Sequence, residues 1–180
     1  MVIEKYSMKH IPSLLFSLAL STSAMAGTSH GYGIHYIHGE GDVRGVKLAY
    51  QYHTNDWLPE NWHLVNMYFE SSVNFWRFGD SGKYDQNFVL AVSPVIQYPI
   101  TTVYNKPLSI EFGIGVALLE DTQFAGKNVS THYQFEDRLG FVYDLGDANI
   151  AMRYIHYSNA GFKSPNPGLD FLSLSYSAKF

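Results

Sequence analysis

From Ser29 to the C-terminus, apolar and polar side chains alternate with a period of two, which is the pattern of β-strands whose two faces meet different surroundings. The alternation predicts eight strands, at about residues 29–38, 45–54, 63–78, 87–99, 108–120, 132–144, 148–159 and 170–180. Each segment is long enough to cross a bilayer when tilted, which takes about 9–11 residues. The chain is therefore expected to be all-β.

Nearly every predicted strand has one apolar face and one polar or small face. The apolar face of the fifth strand, for example, consists of Leu108, Ile110, Phe112, Ile114, Val116 and Leu118. The polar faces of the strands carry charges of both signs, at Lys47, Glu70, Glu111, Glu136, Arg138 and Arg153. A water-soluble barrel turns its apolar face inward, whereas a membrane barrel turns that face to lipid and packs polar side chains in its lumen. Alternation alone does not distinguish the two.

The N-terminal segment favours the membrane alternative because it has the pattern of a secretory signal peptide. Lys5 and Lys9 precede an apolar stretch from Ile11 to Leu20, and Ala24-Met25-Ala26 is a small-x-small cleavage site. Cleavage after Ala26 makes residues 1–26 the signal peptide and 27–180 the exported barrel. The alternative is an uncleaved anchor, although the apolar stretch is shorter than the roughly 20 residues of a membrane-spanning helix.

Aromatic content and charge also favour a membrane barrel. Tyr, Phe and Trp make up 16% of the residues and cluster near strand ends, as in the aromatic girdles of outer-membrane barrels. The charges of the polar face are expected to pair with each other in a narrow lumen. We therefore predict an eight-stranded antiparallel transmembrane β-barrel of the outer membrane, with a lumen filled by side chains, so that it is not a pore.

The last predicted strand ends in an aromatic residue. Its apolar face consists of Leu172, Leu174, Tyr176, Ala178 and Phe180, and this resembles the C-terminal signal read by the outer-membrane assembly machinery of bacteria. If both termini lie on the periplasmic side, the connections outside the cell are 39–44, 79–86, 121–131 and 160–169. The connections 55–62 and 100–107 are then longer than typical periplasmic turns.

Overall composition excludes several functions. The formal net charge is −4, and without a basic surplus nucleic acid is not an expected partner. The chain has no cysteine, which excludes disulfides, thiolate metal sites and a thiol nucleophile. The histidines outside the seventh strand are scattered and form no evident metal site, and no glycine-rich phosphate loop is present. No cofactor is expected.

One group of residues has the composition of a hydrolytic site. His156 and Ser158 lie on the apolar face of the seventh strand, and Asp170 begins the apolar face of the eighth. Histidine can take the proton of a serine hydroxyl, and a carboxylate can hold the imidazole in the required tautomer. The alternative is that His156 and Ser158 are interfacial polar residues and that Asp170 is simply solvated.

The segment from Arg153 to Gly161, with Pro165-Asn166-Pro167-Gly168 and Asp170 after it, resembles the lipid A 3-O-deacylase (PagL) family. The resemblance is close from about residue 150 to 180, and it implies an outer-membrane esterase that removes the 3-position acyl chain of lipid A in lipopolysaccharide. It makes Ser158 the nucleophile, His156 the base and Asp170 the acid, where the family typically has glutamate. Further residues with implied roles are Asn159 and the backbone N–H of Gly161 as oxyanion-hole donors, and Asn166 as a hydrogen-bonding residue near the site.

Other interpretations remain open at this point. Asn159 and Asn166 are equally well explained as loop caps. The whole chain is also compatible with a structural or adhesive eight-stranded barrel without catalysis, or with another lipid-modifying barrel such as a palmitoyl transferase.

Overall fold

The computed structural model describes residues 29–79 and 84–180, and the predicted signal peptide lies outside these ranges. The described residues form ten strands and one short 3-10 turn at Glu40–Asp42. The strands are β1 (Ser29–Gly39), β2 (Val43–His53), β3 (Asn66–Phe78), β4 (Asp85–Val103), β5 (Lys106–Leu119), β6 (Gln123–Phe124), β7 (Lys127–Asn128), β8 (Tyr133–Asp144), β9 (Ala148–Ser158) and β10 (Leu169–Lys179). Within the described ranges there is no helix of the length and apolar character needed to span a membrane.

Eight of these strands close into an antiparallel barrel in the order β1-β10-β9-β8-β5-β4-β3-β2. The first and last strands pair with each other, from Gly31 opposite Lys179 to Gly39 opposite Phe171, so the sheet of the barrel has no free edge. The two short strands, β6 and β7, form a separate hairpin in the connection between β5 and β8. The eight-stranded antiparallel barrel predicted from the alternation is therefore confirmed.

The turn between β4 and β5 differs from the sequence prediction. The alternation predicts a connection at residues 100–107 that is longer than a typical periplasmic turn. Instead, β4 continues to Val103 and the turn consists of Tyr104 and Asn105, both with positive φ, at 47° and 62°. Two such residues give the turn geometry that suits the twist of a hairpin. A register shift between Pro99 and Thr101 accommodates the first proline within the strand.

The two faces of the barrel wall are as predicted for a membrane barrel. Large apolar side chains are exposed around the whole outer wall, as at Leu48, Phe112, Met152 and Leu174. The polar faces line the lumen, where Lys47, Glu70 and Glu111 are fully buried. A continuous apolar outer surface with charged side chains in the lumen is the arrangement found in β-barrels that are embedded in a membrane.

The lumen is filled by a network in which charges of opposite sign are in contact. Its members are Lys47, Arg138, Arg153, Glu70, Glu111 and Glu136. Lys47 Nζ lies 3.0 Å from Glu70 and 2.9 Å from Glu136. Tyr68 donates a hydrogen bond to Glu111, and Tyr157 donates one to Glu136. The three cations are balanced by three carboxylates, and this pairing is needed because an unpaired charge is costly to bury. The predicted pairing of luminal charges is confirmed, and the network supports the barrel from within.

Candidate active site

The histidine, serine and aspartate singled out in the sequence lie at the rim of the barrel opposite to the chain termini. β9 ends at this rim with Ser158, and β10 begins there with Leu169. His156 lies directly opposite Asp170 in the pairing of these two strands. His156, Ser158 and Asp170 are all half-buried, and they share the outward face with Tyr154 and Leu172. The site is therefore on the outer wall and not in the lumen.

His156 and Asp170 are in contact. The imidazole Nδ1 lies 2.6 Å from the carboxylate Oδ1, and about a quarter of the Asp170 side chain is exposed (24%). A carboxylate bonded to Nδ1 fixes the tautomer in which the proton is on Nδ1 and the lone pair on Nε2. The Nε2 atom of His156 is then the basic position.

Ser158 lies two residues after His156 on the same face of β9. Its partner on the neighbouring strand β8 is Phe135. Among the described residues its hydroxyl makes no hydrogen bond, with His156 or with any other side chain. The structure therefore brings two of the three predicted residues into contact and places the third beside them. Contacts between a nucleophile and its base are often long before substrate binds.

A second hydrogen bond reaches the same carboxylate oxygen. The hydroxyl of Tyr154 donates to Asp170 Oδ1 over 2.5 Å. Tyr154 was predicted from the sequence only as a lipid-facing residue of β9. Its contact with Asp170 depends on the register of β9 against β10, which the sequence does not specify.

Asp137 is the carboxylate on the other side of His156. It lies directly opposite His156 in the pairing of β8 with β9, and it also faces outward. Within the described part of the chain, the His156 ring is bonded to Asp170 and makes no ion pair with Asp137. Of the two carboxylates, Asp170 is therefore the one in contact with the imidazole.

Gly168 provides the space that the imidazole occupies. A Cβ atom at this position would lie 2.6 Å from Cε1 of His156, and the residue has a positive φ of 70°. Any side chain here would displace the ring, and the backbone conformation itself favours glycine. This role of Gly168 was not evident from the sequence, although its place after Pro167 is a turn signal.

Asn159 organises the loop that joins β9 to β10. Its side chain is fully buried, and its Oδ1 accepts hydrogen bonds from the N–H groups of Gly161 (3.0 Å) and Lys163 (3.4 Å). The side-chain Oδ1 of Asn166 accepts from the N–H of Asn159 over 3.2 Å. These are the bonds of a loop cap, and the Gly161 N–H is engaged in them. The assignment of Asn159 and Gly161 to an oxyanion hole stays a prediction.

The connection between β5 and β8 supports this loop from the side. Lys127 Nζ donates to the carbonyl of Gly168 (3.2 Å), Ser130 Oγ donates to the carbonyl of Pro165 (2.6 Å), and the Asn159 amide donates to the carbonyl of Val129 (3.0 Å). Lys127 also forms an ion pair with Glu40 in the 3-10 turn. Three connections at this rim are thus joined around the site. No motif in the sequence indicated these long-range contacts.

The surface next to Ser158 is aromatic. Phe135 lies beside Ser158 in the sheet, and its ring is 5.3 Å from that of Tyr133 and 6.2 Å from that of Phe162. Phe162 is 77% exposed.

In residues 29–79 and 84–180, no group of three or more His, Asp or Glu side chains is placed to hold a metal ion.

The fold and the site together define an outer-membrane β-barrel that carries a histidine–carboxylate pair and a serine on its lipid-facing wall. A family model described as lipid A 3-O-deacylase (PagL) matches residues 44–179. The chain belongs to this family, and with its apolar outer wall it is a protein of the outer membrane.

Individual relatives agree with this assignment. The chain is 33% identical to the lipid A deacylase PagL of Bordetella bronchiseptica over 91% of each protein. It is 31% identical to the lipid A deacylase PagL of Pseudomonas aeruginosa, over 97% of this chain and 93% of that protein. The crystal structure of the outer membrane enzyme PagL superimposes with a TM-score of 0.70 at 25% identity, over 82% of this chain and 98% of that chain. A designed transmembrane β-barrel, with a TM-score of 0.55 at 9% identity over 87% of this chain and 98% of its own, shares the fold alone.

The outward orientation of the site predicts which reagents reach β9. A cysteine in place of Met152, which is 59% exposed on the outer wall, is expected to be quenched more by a lipid-soluble probe than by a water-soluble one. The measurement is quenching of a fluorophore attached to this single cysteine in proteoliposomes, because the natural chain has none. Asp147→Cys, in the exposed turn after β8, is the control and should show the reverse preference. Stronger aqueous quenching at position 152 contradicts the assignment of the faces.

Proposed function

We propose that this protein hydrolyses the 3-position acyl ester of lipid A in the outer leaflet, with Ser158 as nucleophile, His156 as base and Asp170 as the acid that orients His156. Membership of the lipid A 3-O-deacylase family supports the substrate and the bond that is cleaved. The observation that carries the residue roles is the 2.6 Å contact between His156 Nδ1 and Asp170 on the same outward face as Ser158.

The reaction proceeds in two halves. Ser158 Oγ attacks the ester carbonyl carbon while His156 Nε2 takes the hydroxyl proton. The tetrahedral intermediate then collapses, the bond to the sugar oxygen breaks, and His156 returns the proton to that oxygen, which leaves as the free 3-hydroxyl group. A water molecule next attacks the acyl-serine and passes a proton to His156. Release of the fatty acid and return of the proton regenerate Ser158, so each step uses only side chains and water.

The negative charge that develops on the carbonyl oxygen needs hydrogen-bond donors. We assign this role to the loop after β9, in which Gly161, Asn159 and Asn166 lie close to Ser158 in sequence. The side-chain amide of Asn159 donates to the carbonyls of Val129 and Lys163, so it can serve the oxyanion only when the loop rearranges around the substrate. The Oδ1 of Asn166 already accepts from Asn159, and its amide N–H groups have no protein acceptor among the described residues. The Gly161 N–H becomes available if substrate displaces its bond to Asn159 Oδ1.

The position of the site at the rim fits a lipid substrate. A charged side chain on the lipid-facing wall costs about 2–4 kcal/mol at the bilayer midplane for Lys or Arg, but about 0–1 kcal/mol near the interface. Polar groups at this level are therefore tolerated, and water can reach the acyl-serine. Phe135 and the exposed Phe162 offer an apolar surface beside Ser158 for the acyl chain. A lipid in the outer leaflet can approach by lateral diffusion without leaving the membrane.

Export and assembly complete the proposal. The signal peptide is cleaved after Ala26, and the assembly machinery of the outer membrane recognises the last strand through Phe180. Phe180 is 44% exposed, and its backbone N–H donates a hydrogen bond to the carbonyl of His30, where β10 pairs with β1. The terminal residue is thus accessible at the strand pair that closes the barrel.

Mass spectrometry of lipid A from cells with and without the protein tests the proposed reaction. We expect the protein to convert lipid A to a species lighter by one hydroxyacyl chain, with the acyl ester at the 3-position hydrolysed. Unchanged lipid A in cells that contain the folded barrel would favour a structural role. A gain of one palmitoyl chain would instead identify a transferase.

A further inference from the structure

Tyr154 is the neighbour of Asp170 that the proposed mechanism does not use. It lies two residues before His156 on the outward face of β9, and the two side chains converge on one atom. The hydroxyl of Tyr154 lies 2.5 Å from Asp170 Oδ1, and Nδ1 of His156 lies 2.6 Å from the same oxygen. Asp170 thus receives two hydrogen bonds from β9.

The surroundings of Asp170 explain why a second donor is needed. A carboxylate on the lipid-facing wall has less access to water than one in a soluble enzyme, and an unsatisfied carboxylate in apolar surroundings is costly. Lys127, on the connection between β5 and β8, is bonded to Glu40 and to the carbonyl of Gly168 and forms no ion pair with Asp170. In the described chain, Tyr154 and His156 are the side chains that donate to Asp170.

We propose that Tyr154 is a positioning residue, whose hydroxyl holds the Asp170 carboxylate in the orientation that meets His156 Nδ1. This inference rests on the proposed function, because it acts through the histidine–carboxylate pair. An aspartate side chain turns about two bonds, and two donors on one oxygen restrict both rotations. Without the tyrosine hydroxyl, the carboxylate is free to turn toward Lys127, and His156 loses its fixed tautomer for part of the time.

The variant Tyr154→Phe removes the hydroxyl and keeps the ring on the outer wall. We expect kcat for lipid A deacylation to fall about tenfold, with KM within about twofold, because a hydrogen bond to a charged group is lost but no substrate contact is. Tyr176→Phe is the matched control, since Tyr176 is a tyrosine of β10 with nearly the same exposure, 46% against 47%. It should leave both constants unchanged. A raised KM with unchanged kcat in Tyr154→Phe would make Tyr154 a substrate contact and overturn the proposal.

The same substitution in an Asp170→Ala background separates positioning from direct catalysis. If the hydroxyl acts only through the carboxylate, Tyr154→Phe should change the residual rate of Asp170→Ala by less than about twofold. A tenfold loss that persists in this background would show that Tyr154 acts on the reacting atoms themselves, and the proposal would be wrong.

A spectroscopic measurement separates this inference from the proposed function. In ring-labelled histidine spectra of the folded barrel in detergent, the proton on His156 Nδ1 is expected far downfield because of its bond to the carboxylate, and His156→Asn identifies its signal. Tyr154→Phe should move this resonance and Tyr176→Phe should not. An unchanged resonance in Tyr154→Phe overturns the positioning role. If the resonance moves but the natural protein does not deacylate lipid A, the positioning stands and the hydrolytic function fails.

Discussion

Replacing Ser158 by alanine is expected to reduce lipid A deacylation by about 10⁴- to 10⁶-fold, the range found when one member of a coupled serine hydrolase triad is removed. His156→Asn should cause a loss of similar size, because an amide cannot take the proton from the serine hydroxyl. The measurement is the rate of fatty-acid release from purified lipid A by each variant in detergent micelles. Neither change touches the luminal network, so the barrel should fold normally.

The controls make this result specific to Ser158. The gel shift between unboiled and boiled samples reports whether each variant has formed its barrel. Ser164→Ala alters an exposed serine of the same loop and should keep the natural rate. Substantial turnover by a folded Ser158→Ala variant would remove Ser158 from the role of nucleophile, whatever the substrate.

Replacing Asp170 by alanine is expected to reduce the rate of deacylation, but the loss should be about 10- to 100-fold smaller than the loss in Ser158→Ala. The reason is that the carboxylate positions the imidazole and stabilises its positive form but forms no bond to substrate. Asp170→Glu should retain activity or improve it, since the resemblance to the family implies a glutamate at this place. The rates are measured in the same fatty-acid release assay.

Asp137 provides the matched control for Asp170. Both carboxylates face outward and lie directly opposite His156, one on each neighbouring strand, but the ring is bonded to Asp170. Asp137→Ala should therefore leave the rate within about twofold of the natural protein. If the two alanine variants exchange their effects, Asp137 is the acid. If both alanine variants have the rate of the natural protein, neither carboxylate is needed to orient His156.

The barrel and its faces were predictable because they depend on local periodicity. Alternation over strands of ten or more residues fixes the face on which each side chain lies, because a slip by one residue would reverse every face. The same parity placed His156, Ser158 and Asp170 on the outer wall. The turn at Tyr104 and Asn105 was not predictable from the alternation, because a register shift between Pro99 and Thr101 interrupts the period of two near the end of β4.

The details of the site depended on contacts between distant parts of the chain. Tyr154 meets Asp170 because of the register between β9 and β10, and Lys127 meets the carbonyl of Gly168 because the β5–β8 connection folds over the rim. Neither contact has a sequence pattern, since another apolar residue at position 154 or another polar residue at position 127 would leave the alternation unchanged. Asn159 was ambiguous between a cap and an oxyanion donor, and its four side-chain hydrogen bonds are those of a cap.

The alternation of β9 has a consequence for how such an enzyme can change during evolution. Arg153 and Tyr157 point into the lumen and bind Glu111 and Glu136, whereas His156 and Ser158 lie between and beyond them on the outer wall. Adjacent positions in one strand therefore meet separate requirements, one set for the folding of the barrel and the other for the proposed turnover. A new reaction can arise on the wall by substitution at every second position, while the charges that hold the barrel together stay as they are.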